Sequence, residues 1–329
     1  MRRQRGRRAF RRFLLPRERS DQWLAVLRIG LGATLLLYCL VLRRDWHLVL
    51  ATDGPNIITR RVSEALLAIE SSLIPTVAWF VEGAAHLGLS EQTTLDLIWG
   101  ILVISAGCLL LGIFCRFAAI TAWLLHLATA KSGGMMTYGV DTFMTIGLFY
   151  LMLSPLPDSY AWEQRWRRRT PHPRAFGFSR RVLQLHLCVA YFFSGLMKLL
   201  GSGWWDGSNL WRALIRPPFD VLPANYLASV AWLLPIAGIA ICLIELCYAA
   251  LIWPARTRLI TLSLVCAMHL GIALLMRLYL FALVMIVLNL AAFAPALSRA
   301  RRRALFPLDD NSFARDDTAT EGSRRGNDY

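Results

Sequence analysis

Long apolar runs recur along this chain, and they constrain its fold more than any other feature. The first covers residues 23–42, and at about 1.5 Å per residue a helix of that length crosses the ~30 Å hydrocarbon core of a membrane. Backbone polar groups in hydrocarbon must bond within their own helix. The pattern therefore predicts an all-α fold, a polytopic integral membrane bundle of about eight transmembrane helices. The seven further runs cover residues 95–114, 117–130, 138–153, 182–200, 226–253, 259–276 and 278–296.

The composition excludes other classes of protein. Hydrophobic residues make up 56% of the chain and charged residues 17%, whereas soluble domains have about 45–50% and about 25%. The net charge of +15 is compatible with nucleic-acid binding. The basic residues, however, lie between the apolar runs and at the two ends, so we expect membrane lipid and no nucleic acid as partner. The seven cysteines contain no C-x-x-C pair, which indicates neither a disulfide framework nor a zinc site.

Arginine placement predicts the orientation and the domains. Nine arginines fall in residues 1–20, predicted to be a cytoplasmic segment before a transmembrane domain at 21–300 and a disordered cytoplasmic tail at 301–329. With the N-terminus inside, cytoplasmic segments hold 23 basic residues and the opposite side holds eight. This excess predicts cytoplasmic termini for a multi-pass protein of the cell (inner) membrane. Residues 56–90 are amphipathic, which is typical of a helix lying in the membrane interface.

Insertion of an ionisable side chain into the membrane costs about 2.5–3.5 kcal/mol, so each one within an apolar run requires a structural or functional explanation. For Arg28 we expect a structural ion pair, and for Glu245 a buried partner, with Arg28 or His269 as the candidates. Asp141 opens a run, where an acid is favoured by the helix N-terminus, and both a structural and a functional role are open. Three histidines lie on different runs, so hydrogen bonds across helices are favoured over a metal cluster. They are His126, His186 and His269.

Lys198 stands out because only two of the 36 basic residues are lysines. With Tyr191 and Ser194 it has the i, i+3, i+7 spacing of one helix face, and Gly195 beside them allows another helix to approach. Two interpretations remain open. A lysine shielded from water can lose its proton and act as a general base, and a lysine near the end of a span can extend its ammonium to the interface.

The same region resembles a known family. Residues 191–207 contain Tyr-Phe-x-x-Gly-x-x-Lys-Leu followed by Trp-x-x-Gly. This resembles the signature of the HTTM (horizontally transferred transmembrane) domain, the membrane domain of vitamin K-dependent γ-glutamyl carboxylases and their bacterial relatives. Gly139-Val-Asp141 before a span ending in Ser-Pro-Leu-Pro, and Met268-His269 before Tyr279-Leu-Phe281, are similar to further family motifs in the same order. The likeness covers roughly residues 20–300.

The resemblance implies a role for Lys198, because the matching lysine of the carboxylases is regarded as the base that deprotonates vitamin K hydroquinone. Met197 stands where the carboxylases have a second lysine, and we expect no long β-rich region after the last span. Both departures argue against carboxylation of propeptide-bearing proteins.

We therefore predict a multi-pass bacterial HTTM protein with a quinol-accessible cavity that serves peptide or protein modification, with a carboxylase-like or quinol-epoxidising activity. The alternative is a non-enzymatic membrane component in the maturation of an exported peptide, as in the sporulation-delaying toxin system. The cofactor is unknown, with a quinol implied, and no metal is expected. Lys198 is the candidate catalytic residue, and the candidate cavity or relay residues are Glu245, His269, Asp141, Tyr191 and Arg28.

Overall fold

The computed structural model describes residues 13–16, 18, 20–53, 58–71, 73–134, 137–167 and 173–294. Within these ranges every regular element is a helix, which confirms the all-α prediction. The predicted N-terminal segment 1–20 lies largely outside the described residues, and the predicted tail 301–329 lies entirely outside them.

The helices are numbered here in chain order. They are α1 (Gln22–Leu42), α2 (Trp46–Leu50), α3 (Arg60–Glu70), α4 (Val77–Ala85), α5 (Glu91–Leu111), α6 (Cys115–Ser132), α7 (Gly139–Leu153), α8 (Gln164–Arg167), α9 (Pro173–Leu199), α10 (Ser202–Trp205), α11 (Ser208–Ile215), α12 (Ala224–Ser229), α13 (Leu233–Leu251), α14 (Ala255–Met276) and α15 (Tyr279–Phe293).

Each predicted apolar run overlaps one long helix. Among the described residues, α1, α5, α9, α13 and α14 are long and apolar enough to cross a membrane. Helices α7 and α15 are apolar but contain 15 residues each, and α6 contains 18. The protein is therefore a multi-pass membrane protein with five candidate spans in the part of the chain that the structure describes.

Several helix boundaries differ from the predicted runs. The run at 226–253 is divided into α12 and α13, because Pro235 cannot donate a backbone hydrogen bond and its ring clashes with the carbonyl four residues earlier. Helix α9 begins at Pro173 rather than at residue 182, since Arg180 and Arg181 interrupt the hydropathy but not the helix.

The amphipathic stretch at 56–90 forms two helices, α3 and α4, rather than one. Glu64 on α3 accepts hydrogen bonds from the Ser132 hydroxyl at 2.5 Å and from the Ala78 backbone N–H at 3.1 Å. The Glu64 carboxylate therefore joins α3 to the start of α4 and the end of α6.

Helix ends follow local capping chemistry. The Ser90 hydroxyl accepts from the Thr93 backbone N–H at 3.2 Å, so α5 begins four residues before the apolar run. The helix ends at Gly112, which has a left-handed φ of 73° that favours glycine. The N–H groups of Gly112 and Ile113 both donate to the Cys108 carbonyl, as expected of such a helix end.

The long helices pack in two sequential groups. Helix α1 packs on α5, α5 on α6 and α6 on α7; in the second group α9 packs on α13, α13 on α14 and α14 on α15. Helix α15 also contacts α1, α7 and α9, so it lies between the groups. Close approach uses small residues, since a Cβ on Gly32 of α1 would lie 3.1 Å from the Leu110 backbone nitrogen of α5.

Candidate functional site

Lys198 and Glu245 form an ion pair between α9 and α13, two of the candidate spans. The Lys198 Nζ lies 2.5 Å from Glu245 Oε2 and donates a second hydrogen bond to the Ser194 hydroxyl at 2.6 Å. The two ionic side chains are 22% and 8% exposed. The Trp204 ring lies 5.5 Å from the ammonium, within cation–π range. The lysine therefore has three partners and keeps a partly open side.

The local sequence explains this pair. Ser194 and Lys198 are four residues apart on α9, so they lie on one face. A Cβ on Gly195 would lie 2.6 Å from the Leu246 backbone nitrogen and 3.1 Å from the Cys242 carbonyl oxygen of α13. Because Gly195 has no side chain, α13 contacts the backbone of α9 and places Glu245 opposite Lys198. The predicted close approach at Gly195 is confirmed.

A second cluster, here called the polar network, consists of Tyr191, His269, Asn289 and Tyr248. The Tyr191 hydroxyl oxygen lies 2.7 Å from His269 Nε2 and 2.8 Å from Asn289 Nδ2. Asn289 Oδ1 accepts from the Tyr248 hydroxyl at 2.7 Å. All four residues are at most 3% exposed. The network therefore joins α9, α13, α14 and α15 through buried hydrogen bonds.

One nitrogen of His269 has no partner in this network. Nε2 shares a hydrogen bond with the Tyr191 hydroxyl, whose oxygen also accepts from Asn289 Nδ2. The other ring nitrogen, Nδ1, is buried and has no hydrogen-bond partner in the structure. Buried polar atoms are nearly always paired, so His269 Nδ1 is a candidate contact for a bound molecule.

The lysine–carboxylate pair brings a basic and an acidic group into direct contact, with 2.5 Å between Lys198 Nζ and Glu245 Oε2. Such hydrogen bonds are stronger in a low-dielectric interior than in water. A hydroxyl-bearing molecule at the open side of Lys198 would meet a nitrogen that a carboxylate and a hydroxyl hold in place.

Arg28 forms the expected structural ion pair, but with Asp158 rather than with Glu245. Its Nε lies 2.5 Å from Asp158 Oδ2, its Nη2 lies 3.2 Å from Asp158 Oδ1, and its Nη1 donates to the Leu109 carbonyl at 2.5 Å. Glu245 has a partner as predicted, but the two candidates named for it were wrong, since that partner is Lys198. Asp158 lies in the loop after α7, outside every apolar run, so the hydropathy pattern gives no indication of it.

Asp141 lies at the start of α7, away from the lysine pair. Its Oδ2 accepts from the Tyr138 backbone N–H at 2.9 Å and its Oδ1 from the Tyr38 hydroxyl at 2.7 Å. Neither partner belongs to the polar network. The structure thus brings together four predicted residues, Lys198, Glu245, Tyr191 and His269, and places Asp141 and Arg28 elsewhere.

The two other histidines of the apolar runs each have a partner on a neighbouring helix. His126 Nδ1 lies 3.1 Å from the Thr145 hydroxyl, and His186 Nδ1 lies 2.9 Å from the Tyr150 hydroxyl. Over the ranges that the structure covers, histidines, cysteines and carboxylates do not form a group of three that could hold a metal ion.

Sequence reasoning missed two members of the polar network. Asn289 is the one amide in the run at 278–296, and a polar side chain in a membrane helix commonly bonds across helices. Tyr248 falls three residues after Glu245, on the same face of α13. Both residues are therefore marked in the sequence, by polarity within an apolar run and by helical spacing from Glu245.

The fold and the site define a polytopic α-helical membrane protein with a lysine–glutamate pair between two spans. A sequence model of the HTTM domain matches residues 79–296. Because the match covers more than half of the chain and includes the ion pair and the polar network, the chain belongs to the HTTM domain family. No curated protein and no solved structure matches it.

Proposed function

We propose that this HTTM protein is a membrane enzyme in which Lys198 removes a proton from a hydroxyl group of a membrane-soluble quinol, in the service of peptide or protein modification. The observation that carries the proposal is the contact of Lys198 Nζ with Glu245 Oε2 at 2.5 Å inside the helical bundle. A lysine that serves only as an interfacial anchor needs a long stem and contact with water. Lys198 has a carboxylate and a hydroxyl as partners instead.

The burial of the pair supports a functional role. Two charges placed between spans carry a desolvation penalty that a well-packed apolar pair would avoid. The exposure of 22% at the lysine gives it an open side, whereas Glu245 is enclosed. The arrangement suits a base that meets its substrate through Lys198 and stores the proton on Glu245.

The residues present fit a hydroquinone. When bound, this group would supply two electrons and two protons as it is oxidised to a quinone. Lys198 and Glu245 would hold a phenolic hydroxyl, and the Trp204 ring beside the amine gives an apolar aromatic surface. His269 adds a buried nitrogen without a partner. Its other ring nitrogen contacts Tyr191, which lies two helical turns before Lys198 on α9. These are the side chains that would bind the ring and take its proton.

The proposed topology has eight spans, with both termini in the cytoplasm of a bacterial cell and the protein in its inner membrane. Eight helices of 15 or more residues among the described residues support this number, and the arginine excess supports the orientation. Helices α7 and α15 would each span about 22 Å. Both pack on α1, which contains 21 residues.

Substitution of Lys198 tests the proposal. The measurement is O₂-dependent oxidation of a quinol by the purified protein in lipid nanodiscs. We expect Lys198→Arg, Lys198→Met and Lys198→Ala to lose about 100-fold or more of the rate, because guanidinium stays protonated and the other two have no base. The matched control is Lys131→Arg, an exposed position at the end of α6, which should keep full activity.

Two outcomes would contradict the proposal. Full activity of Lys198→Arg would reject the base and leave Lys198 as an anchor. A correctly folded protein that oxidises no quinol would favour the non-enzymatic role in exported-peptide maturation.

A further inference from the structure

A cavity of about 350 Å³ lies beside the first half of α9, about 27 Å along the helix from Lys198. Its wall combines basic and aromatic side chains with one carboxylate. The main lining residues are Arg180, Arg181, Arg258, Glu18, Phe13 and Trp253. Three arginines against one glutamate give the cavity an excess of positive charge that no part of the proposed reaction uses.

Two of the arginines are held by the protein. Arg180 donates from Nε to the Ala292 carbonyl at 2.9 Å, and another of its nitrogens pairs with Glu18. Arg258 donates from Nη2 to the Trp253 carbonyl at 2.6 Å, at the end of α13. Glu18 balances the charge of Arg180, whereas the carbonyl orients Arg258 without neutralising it, so the cavity keeps an excess of positive charge.

Arg181, the third arginine of the cavity, differs from the other two because it lies against aromatic rings. Its guanidinium lies 4.5 Å from the Phe13 ring centroid and 4.8 Å from that of Trp253. Its Nε is buried and has no hydrogen-bond partner in the structure. The two rings contact each other, with centroids 5.7 Å apart and planes tilted by 49°, so the cation lies beside both of them. The donors of a guanidinium group match the oxygens of phosphate or carboxylate groups. The cavity therefore contains an oriented cation with an unused donor.

We propose that this cavity binds the phosphate group of an anionic phospholipid. The arginine donors match phosphate oxygens, and the aromatic wall suits the apolar glycerol and acyl portion that a free phosphate lacks. Arg180, Trp253 and Arg258 lie at one end of three candidate spans, α9, α13 and α14, where lipid headgroups lie. Basic pockets between membrane helices bind such headgroups, and the volume is sufficient for one. The inference is independent of the proposed catalysis.

Lipid-dependent stability of the full-length protein tests this site. Thermal unfolding in neutral detergent is followed with added phosphatidylglycerol, phosphatidylcholine or inorganic phosphate, and native mass spectrometry counts the retained lipids. We expect phosphatidylglycerol to raise the unfolding temperature and the other two to leave it unchanged. Arg181→Gln should weaken phosphatidylglycerol binding about five- to tenfold, since one phosphate-facing charge is lost.

The control variant is Arg256→Gln, which removes the same charge from an exposed position on the first turn of α14 outside the cavity. It should change the affinity less than twofold. If Arg181→Gln does not fold, Arg181→Lys keeps the charge without the planar fork and should still weaken binding. Equal stabilisation by phosphatidylcholine, stabilisation by inorganic phosphate, or an equal loss in Arg256→Gln would each overturn the proposal.

Discussion

At the scale of single residues, the two ion pairs in the bundle differ in what surrounds them. Arg28 and Asp158 are at most 1% exposed, and the arginine donors are also used by backbone carbonyls. Lys198 and Glu245 have an open side, since the lysine side chain is 22% exposed. A closed pair of this kind supports the fold, whereas a pair open on one side can exchange protons with a ligand.

Glu245 offers a stability test of this contrast. Glu245→Gln retains a hydrogen bond to Lys198, whereas Glu245→Leu leaves an ammonium without its counter-charge. We expect Glu245→Leu to lower the free energy of unfolding by about 1–3 kcal/mol and Glu245→Gln by less. In the double variant Lys198→Met/Glu245→Leu most of the loss should be recovered, because a packed apolar pair replaces buried charges. Thermal unfolding in detergent measures all three.

Glu82→Leu is the matched control, because this carboxylate is exposed on α4. Its effect should stay within about 0.5 kcal/mol. If Glu245→Leu were as stable as the parent protein, the carboxylate would have to face water or headgroups rather than Lys198.

At the scale of helices, the contact between α9 and α13 depends on Gly195. A methyl group there would lie 2.6 Å from a backbone nitrogen of α13, and backbone cannot rotate away as a side chain can. Gly195→Ala should therefore separate the helices, lower stability by about 1–3 kcal/mol, and move Glu245 away from Lys198. Unfolding and quinol oxidation should both decline.

Gly271 on α14 gives the comparison, since a Cβ there meets nothing within 4 Å. Gly271→Ala should be neutral or stabilising by up to about 1 kcal/mol. Equal behaviour of the two glycine variants would mean that α9 and α13 are not in close contact.

Much of the helical architecture could be predicted from the sequence, because apolar runs near 20 residues have few alternatives in a membrane. The helix ends could not be predicted from hydropathy, because they depend on backbone hydrogen bonds. Ser90 accepts one at the start of α5, and Pro235 near the start of α13 cannot donate one. Lys198 and Glu245 were each recognised as unusual on their own helices. Their contact was missed because the packing of α9 on α13 depends on Gly195 and its neighbours, and no periodicity reports which helices are adjacent.

At the scale of the whole molecule, the arginine distribution predicts the orientation in the membrane. Reporter fusions at residue 20, within residues 165–181 and at residue 310 should all report the cytoplasm. A fusion at residue 216, in a segment assigned to the opposite side, should report the periplasm and serves as the control. A periplasmic signal from residues 165–181 would overturn the proposed order of spans.

The bond between Arg28 and Asp158 also has a consequence for how the protein is made. The two residues are 130 positions apart, and ribosomes add about 5–20 residues per second. The arginine of the first helix is thus synthesised roughly 7–26 seconds before its carboxylate. During that interval the guanidinium has no access to its carboxylate, so the native burial of Arg28 can be completed only after about half of the chain has been made.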